Sequence, residues 1–548
     1  MGNKKTFDRS AGILMPVSSI PSPYGIGTFG KEAYNFVDFV KACNHKYWQV
    51  LPLGPTTYGD SPYQSFSAFA GNPYFIDLDT LVEDGLLRKS ELISRDWGDG
   101  HVPVNVSEED ALNNRYADNR DINLGNESYV SYEKLYKVRF EVLHIAFERF
   151  KEVIAKEKEE NGTSQNKNEN VDALPQYKSL ERFCEDNSFW LNDYALFMSL
   201  KDYYKGVSWA EWDDDIRFRT DEGIQKYNKL LKDDIEFWIF LQYEFDKQWN
   251  KLKSYVNEKG IKIIGDIPIY MGYDSADVWA NPEQFQLDDN LMPISVAGCP
   301  PDGFSADGQL WGNPLFNWKV MKEQDYNWWV DRIAYQTQIY DMLRIDHFRG
   351  FDAYYSIPYG DKTARNGEWK EGPGIDLFNV IKEKLGELPI IAEDLGFLTD
   401  SVRKLLKDTG FPGMKVLEFA FDSRDTESGY LPHLYPKNCV VYAGTHDNET
   451  ILGWFDTISE EDAEYAKKYM RLSEAEGYHW GMMRTAWASV ADTAIMQMQD
   501  ILGLGKNARM NTPSTLSDKN WSWRCLPGVY NDTLADVLHQ EMKLYGRI

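Results

Sequence analysis

Three acidic residues stand at or near the ends of short apolar runs, where they could carry out acid–base or nucleophilic chemistry. Asp346 lies in Leu-Arg-Ile-Asp-His-Phe-Arg-Gly, Glu393 in Ile-Ala-Glu-Asp-Leu-Gly and Asp447 in Gly-Thr-His-Asp-Asn. An ionised carboxylate can attack an anomeric carbon, while a protonated partner donates to the leaving oxygen. An acid after a strand can also cap the following helix, so each motif taken alone is open to both interpretations.

Arg344 lies two residues before Asp346. In a β-strand, residues two apart project from the same face, so the guanidinium would lie beside the carboxylate. A neighbouring cation keeps a buried carboxylate ionised at neutral pH, as a nucleophile requires. The same two residues could equally form a structural ion pair, and their spacing favours neither interpretation.

The acids can meet only if the strands that precede them end on one face of the fold. Strand-like runs are predicted at residues 12–20, 47–54, 261–270, 343–348, 389–396, 414–421 and 439–447. Amphipathic helical stretches separate most of these runs, which indicates parallel βαβ units. Seven or more such units favour an α/β fold of the (β/α)8 barrel type, whose C-terminal strand ends converge on one face. The doubly wound alternative lacks both glycine-rich phosphate-binding motifs.

The interval between the second and third predicted strands is about 200 residues, far longer than a βα connection needs. We therefore predict a catalytic barrel over residues 10–548, interrupted by a mainly helical subdomain at 80–255. Within it, Leu135, Val138 and Val142 fall at helical spacing. Residues 157–170 are poor in apolar side chains and predict a flexible acidic loop between two helices.

The composition favours an uncharged ligand. A formal net charge of −27 repels phosphate backbones and anionic lipids, so we expect neither nucleic acid nor a membrane as a partner. Aromatic residues make up 14% of the chain, with 18 Trp and 33 Tyr, which suits either stacking on sugars or a large aromatic core. Five scattered cysteines and the lack of a secretory signal pattern indicate a cytoplasmic protein with reduced thiols.

From about residue 12 to residue 524, the chain resembles the amylomaltase or disproportionating-enzyme family of 4-α-glucanotransferases, relatives of the α-amylases. The resemblance rests on the three acidic motifs and on five further segments: Ser-Pro-Tyr-Gln at 61–64, Gly-Asp-Ile-Pro-Ile-Tyr at 265–270, Gly-Cys-Pro-Pro-Asp-Gly-Phe-Ser at 298–305, Gln-Leu-Trp-Gly-Asn-Pro at 309–314 and Ala-Arg-Met-Asn-Thr-Pro at 508–513. Any one of these segments could arise by chance, whereas their joint occurrence in this order is hard to obtain otherwise.

The resemblance implies a retaining enzyme that moves α-1,4-glucan segments from a donor to the 4-hydroxyl group of a glucan or of glucose. It implies Asp346 as the nucleophile, Glu393 as general acid and then base, and Asp447 as a stabiliser of the transition state. It also implies substrate contacts from Ser61, Tyr63, Asp266, Asp302, Phe304, Trp311, Arg344, His446 and Asn511. We expect no metal, because no ligand motif is present, and no other cofactor, because transfer conserves the glycosidic bond.

Residues 298–314 match the loop that partly covers the cleft in this family. Closure of such a loop would exclude water in favour of a sugar acceptor. Typical hydrolytic amylases carry Asn-His after the third strand, where this chain has Pro268-Ile269-Tyr270, and this departure favours the transferase branch. Two alternatives stay open: an α-glucan hydrolase that uses the same acids, and a non-catalytic glucan-binding barrel.

Overall fold

The computed structural model describes residues 8–57, 59–98, 128–161, 175–301, 306–396, 398–425 and 428–548. Its strands are β1 (Ser10–Leu14), β2 (Tyr47–Gln49), β3 (Lys262–Ile267), β4 (Ser295–Cys299), β5 (Gln309–Pro314), β6 (Met342–Ile345), β7 (Ala353–Pro358), β8 (Glu368–Glu371), β9 (Ile390–Ala392), β10 (Gly413–Val416), β11 (Cys439–Tyr442) and β12 (Thr493–Gln497). Its α-helices are α1 (Lys31–Ala42), α2 (Leu78–Glu83), α3 (Lys89–Ile93), α4 (Tyr132–Asn161), α5 (Gln176–Asp186), α6 (Leu191–Tyr203), α7 (Asp214–Arg217), α8 (Asp221–Leu230), α9 (Lys232–Glu258), α10 (Ala276–Ala280), α11 (Trp318–Glu323), α12 (Asn327–Ile339), α13 (Ile375–Leu385), α14 (Asp400–Thr409), α15 (Ile451–Thr457), α16 (Glu460–Met470), α17 (Tyr478–Ala488), α18 (Met498–Ile501) and α19 (Asp532–Leu544). None of these helices is both long and apolar enough to cross a membrane.

Eight of the described strands form one parallel sheet in the order β10, β11, β12, β1, β2, β3, β6, β9. The two end strands, β9 and β10, approach each other, and the amide of Ala392 donates to the carbonyl of Pro412 at 3.0 Å. The sheet is therefore an almost closed barrel, and the prediction of a (β/α)8 fold is confirmed.

β12 is the barrel strand that the sequence analysis does not predict. Its apolar centre is only three residues long, at 494–496, and it lies between α17 and α18. Periodicity cannot distinguish such a short apolar run from a buried piece of helix. All five residues of β12 are buried, because parallel strands in a barrel are covered on both faces.

Two predicted strands end earlier than expected, and proline is the reason. β1 ends at Leu14, two residues before Pro16, and β3 ends at Ile267, directly before Pro268. Proline has no N–H group to donate to a ladder, so the strand pairing cannot continue through it. The residues beyond these ends become loops at the C-terminal face of the barrel.

The connection between β2 and β3 carries α2 to α9 among its described residues. The last of these helices, α9, packs on the barrel as well as on the insertion, because Trp249 contacts the rings of Phe29 at 5.0 Å and Tyr340 at 6.3 Å. The predicted boundary of the insertion at residue 255 therefore falls inside a helix that serves both parts.

α4 is longer than the sequence analysis predicts. It ends at Asn161, so the first five residues of the predicted flexible loop, 157–161, are helical. Glu and Lys are strong helix formers, and Lys156 and Glu160 form an ion pair one turn apart at 3.9 Å. The remainder of that predicted loop, 162–170, lies outside the described residues.

A second, antiparallel sheet stands at the C-terminal end of the barrel, with the strand order β5, β4, β7, β8. β4 and β5 come from the connection between β3 and β6, and β7 and β8 come from the connection between β6 and β9. The segment 298–314, predicted as a loop, is largely a β-hairpin, because Cys299 pairs with Gln309 and Val296 pairs with Pro314. Residues 302–305 of this segment lie outside the described residues.

Trp249 should contribute strongly to stability, because its ring is fully buried and its N–H donates to the Ile339 carbonyl at 3.0 Å. We expect Trp249→Ala to lower the free energy of unfolding by about 3–5 kcal/mol through the cavity and the unpaired carbonyl that it leaves. Urea unfolding measures the change. Tyr203→Ala, at a half-exposed aromatic on α6, is the control and should cost about 1 kcal/mol or less. Equal losses in both variants would contradict the role given to Trp249.

Candidate active site

The predicted catalytic acids gather where barrel strands end. Asp346 directly follows β6 and Glu393 directly follows β9, and their amides still donate to the carbonyls of Ile267 and Ile345, both at 3.0 Å. Asp447 lies in the loop after β11. Because parallel strand ends meet on one face of a barrel, residues separated by 47 and 54 positions in sequence line the same cleft.

A buried guanidinium group stands at the centre of this cleft. Nη1 of Arg344 lies 2.6 Å from Oδ2 and 2.7 Å from Oδ1 of Asp266, and 3.0 Å from Oδ1 of Asp346. The side chains of Arg344 and Asp266 are 3% and 0% exposed, whereas that of Asp346 is 29% exposed. The sequence spacing predicts the contact with Asp346. The contact with Asp266 follows from the register of β3 and β6, in which Asp266 and Arg344 are direct partners.

The two carboxyl groups beside this cation differ in proton affinity. Burial raises the pKa of Asp346, and Arg344 opposes that rise more strongly than any other neighbour. Burial raises the pKa of Glu393 to a higher value, and the charge of Asp346 adds to it. The amides of His347 and Leu395 donate to Oε2 and Oε1 of Glu393 at 2.7 and 2.8 Å, which fixes the carboxyl group and only partly offsets the rise. Asp346 therefore ionises first, while Glu393 keeps its proton.

His446, Asp447 and Asn511 form one hydrogen-bonded unit on the other side of the cleft. Asn511 donates from Nδ2 to Oδ1 of Asp447 at 2.6 Å, and Nε2 of His446 lies 3.3 Å from Oδ2. Burial opposes ionisation of Asp447, but His446 and Asn511 outweigh it and hold its pKa below the ordinary value. The carboxylate in turn outweighs burial at His446 and raises the pKa of the imidazole.

Tyr63 links this unit to the central cation. Its ring stacks on His446 at 5.0 Å and 20°, and its hydroxyl donates to Oδ2 of Asp266 at 2.8 Å. Trp521 adds a third ring, 5.6 Å from Tyr63 and 5.8 Å from His446. Ser61 accepts the Tyr63 amide at 3.3 Å, so its side chain shapes the turn that carries Tyr63. Sugar contacts of Tyr63 and Ser61 stay predictions.

Trp311 on β5 also lies next to the acids. It meets the ring of His347, the neighbour of Asp346, edge-on at 4.8 Å and approaches Tyr270 at 6.2 Å. The small sheet thus places one aromatic side chain at the edge of the cleft. Two other predicted contacts, Asp302 and Phe304, lie outside the described residues.

Arg509 is a site residue that the sequence analysis does not single out. It donates from Nε to the carbonyl of Asn511 at 2.7 Å and from Nη2 to the carbonyl of Asp447 at 2.9 Å, and it pairs with Glu449 at 3.1 Å. It therefore joins the loop of Asp447 to the loop of Asn511. Its position in the motif at 508–513 is the feature of the sequence that could have indicated a role in the site. Its partners Glu449 and Asp447 lie 60 and 62 residues away in the chain, so the motif alone does not predict these contacts.

The chemistry that the site offers is that of carboxyl groups. Among the residues that the structure describes, no cluster of three or more His, Cys, Asp or Glu side chains could hold a metal ion. One carboxylate beside a cation, one protonated carboxyl group and aromatic rings suit nucleophilic attack and proton transfer on an uncharged sugar.

Three comparisons with known proteins agree with this chemistry. The family model described as 4-alpha-glucanotransferase matches residues 15–528. The 4-alpha-glucanotransferases of Clostridium butyricum and Streptococcus pneumoniae are 49% and 45% identical; the alignments cover 97% and 98% of this chain and 100% and 98% of the relatives. The amylomaltase from Streptococcus agalactiae, solved in complex with acarbose, superposes with a TM-score of 0.87 at 40% identity, covering 98% of this chain and 99% of that one.

Arg509 should affect catalysis through the position of Asp447 and Asn511. We expect Arg509→Gln to lower kcat/KM on an α-1,4-glucan by roughly 10- to 100-fold, because a shift of about 1 Å at a catalytic group has effects of that size. Arg509→Lys keeps a positive charge beside Glu449, so its kcat/KM should fall less. Steady-state kinetics and the melting temperature are measured together, and unchanged kcat/KM in a folded Arg509→Gln variant would contradict the positioning role.

Proposed function

The chain belongs to the 4-alpha-glucanotransferase family, and on that premise we propose that it moves α-1,4-glucan segments by a retaining double displacement. Asp346 attacks the anomeric carbon of the donor sugar while Glu393 gives its proton to the leaving oxygen. Glu393 then takes a proton from the 4-hydroxyl group of the acceptor, which displaces Asp346. Two inversions at the same carbon retain the α configuration.

The arrangement of Arg344, Asp346 and Glu393 is the observation that carries this proposal. A nucleophilic carboxylate must be ionised and its partner must be protonated at the same pH. The contact of Arg344 with Asp346 at 3.0 Å favours the first condition, and the burial of Glu393 beside a negative charge favours the second. An ion pair with a purely structural role would not require the neighbouring Glu393.

Asp447, His446 and Asn511 would hold the donor sugar. The side chain of Asp447 is 44% exposed and ionised, so its carboxylate can accept hydrogen bonds from sugar hydroxyl groups as positive charge develops on the ring. Asp266 has a different role, because both of its oxygens are engaged by Arg344 and one also by Tyr63. We assign it to supporting the nucleophile, not to touching the sugar.

Transfer, as opposed to hydrolysis, requires that an acceptor sugar displace the donor from Asp346 before water does. Trp311 and the β4–β5 hairpin stand on the side of His347 and Glu393, where the leaving group departs and the acceptor enters. We propose glucose and maltooligosaccharides as the acceptors. The α-glucan hydrolase is the alternative that uses the same acids.

A cytoplasmic location is the second part of the proposal. No disulfide bond joins any of the five cysteines, and Cys43, Cys439 and Cys525 are buried. Several cysteines without a disulfide bond in a chain of this size are typical of a reducing compartment.

Incubation with maltotriose tests transfer directly. Glucose and longer maltodextrins should appear while the number of reducing ends stays constant, because each transfer breaks one glycosidic bond and makes another. A steady rise in reducing ends would identify a hydrolase. No change in either quantity would favour the glucan-binding protein.

Two substitutions separate the roles of the acids. Glu393→Gln should lower kcat/KM for maltotriose as the donor by roughly 10²- to 10⁴-fold but should affect the first burst of fluoride release from α-maltosyl fluoride much less, because fluoride leaves without a proton. Asp346→Asn should abolish turnover of both donors. Asp400→Asn, at a fully exposed acid on α14, is the control and should leave both rates unchanged. Equal losses on the two donors in Glu393→Gln would contradict its role as the acid.

The pH profile of kcat/KM should be bell-shaped. The rate rises with pH as Asp346 ionises and falls as Glu393 loses its proton. Because burial raises the pKa of both groups, both limbs should lie above the ordinary values of 3.8 and 4.5. Initial rates across the acidic to alkaline range measure the limbs. An alkaline limb near 4.5 would contradict a protonated Glu393 at neutral pH.

A further inference from the structure

Trp369 differs from the other tryptophans of the chain in its exposure. All 18 tryptophans lie within the described residues, and Trp369 is the most exposed of them, at 42%. It stands on β8, the edge strand of the small sheet, in register with Tyr355. A large indole ring left in solvent is costly, so its position calls for a physical explanation.

The surroundings of Trp369 fix the orientation of its ring. The guanidinium group of Arg349 lies over one face, 4.1 Å from the ring centroid, and the centroid of the Tyr355 ring lies 5.2 Å away, with the two ring planes inclined by 63°. These two contacts hold the ring in place and still leave 42% of Trp369 exposed. The exposed part of the indole is the surface that a ligand could contact, with a cation on the ring's other side.

Arg349 connects this ring to the segment that binds the catalytic acid. The segment from His347 to Arg349 wraps around Glu393: the His347 amide donates to Oε2 at 2.7 Å and the Phe348 amide donates to the Glu393 carbonyl at 3.0 Å. Trp311 contacts the start of this segment, at His347, and Trp369 contacts its end, at Arg349. The two indoles therefore contact the two ends of the segment that holds the general acid.

The general acid protonates the oxygen that joins the donor sugar to the leaving chain, so ligand units beyond it occupy the acceptor side. Glucose units in an α-1,4-glucan present apolar C–H faces, and an indole face is a good surface for such a face to stack on. A glucan is uncharged, so an aromatic ring suits it as a binding surface better than a charged side chain does.

We propose that Trp369 is an outer acceptor subsite, at which the exposed part of its indole stacks on a glucose unit farther from the reacting bond than the unit beside Trp311. This inference rests on the proposed function, because it takes Glu393 as the boundary between donor and acceptor. It assigns to β8 a part in the preference for longer acceptors. A glucose acceptor is too short to reach Trp369 and gains nothing from it.

The test measures kcat/KM as a function of acceptor length. α-Maltosyl fluoride is the donor in every assay, so the same glycosyl-enzyme forms each time, and the acceptors run from glucose to maltopentaose. In the wild type, kcat/KM should rise at the acceptor length that reaches Trp369. In Trp369→Ala, this increase in kcat/KM with acceptor length, here called the length step, should be roughly tenfold smaller. A tenfold change is the size expected for the loss of one aromatic contact.

Two further substitutions at the same position exclude a packing effect. Trp369→Leu keeps apolar cover on Arg349 and Tyr355 but has no ring, and it should lose the length step as Trp369→Ala does. Trp369→Phe keeps a flat ring and should retain much of the step. The matched control is Tyr359→Ala, an exposed aromatic beyond the other end of β7, which should keep the wild-type profile.

The outcomes separate this inference from the proposed function. Release of fluoride without transfer to any acceptor in the wild type would overturn the transferase, and the subsite with it. Transfer by the wild type together with an unchanged length profile in Trp369→Ala and Trp369→Leu would overturn only the subsite. A uniform loss on all acceptors would also overturn it, because Trp369 would then act solely through Arg349 and the environment of Glu393.

Discussion

The placement of one buried cation governs the whole site. Arg344 is almost completely removed from water and meets Asp266 and Asp346 within 3.0 Å. An unpaired guanidinium in this position would carry a large desolvation cost, so the surrounding carboxylates are required to keep the cleft intact. The same contacts orient Tyr63 through Asp266 and favour the charged form of Asp346. Structure and chemistry here depend on the same atoms.

The barrel makes such an arrangement possible because each strand contributes one part. β3 supplies Asp266 and β6 supplies Arg344, while Asp346 and Glu393 directly follow β6 and β9 and Asp447 lies in the loop after β11. Groups on different strands can be surrounded differently although they share a cleft. Asp346 has a cation at its side, Glu393 has backbone amides and a negative neighbour, and Asp447 has an imidazole and an amide. Three carboxyl groups thereby acquire three proton affinities.

The small sheet adds a second layer to the C-terminal face. Its strands come from two different connections of the barrel, and its outer strands carry Trp311 and Trp369, which contact the two ends of the segment that binds Glu393. A sheet gives these rings a rigid support, which a flexible loop would lack. Rigid placement of aromatic faces reduces the entropy lost when a sugar chain binds. In the proposed function, the sheet connects the barrel chemistry to the choice of acceptor.

The sequence by itself determined those features that depend on local order. Alternating strands and helices predict the barrel, the period of two predicts that Arg344 lies beside Asp346, and ordered motifs predict the family and the three acids. Tertiary structure decided the rest. The pairing of Asp266 with Arg344 depends on the register of two strands 78 residues apart, and the contacts of Arg509 span up to 62 residues. β12 and the small sheet likewise form only because long-range hydrogen bonds select them. Periodicity within a short window carries information about neighbours in the chain, whereas strand register and loop contacts are fixed by the closure of the barrel.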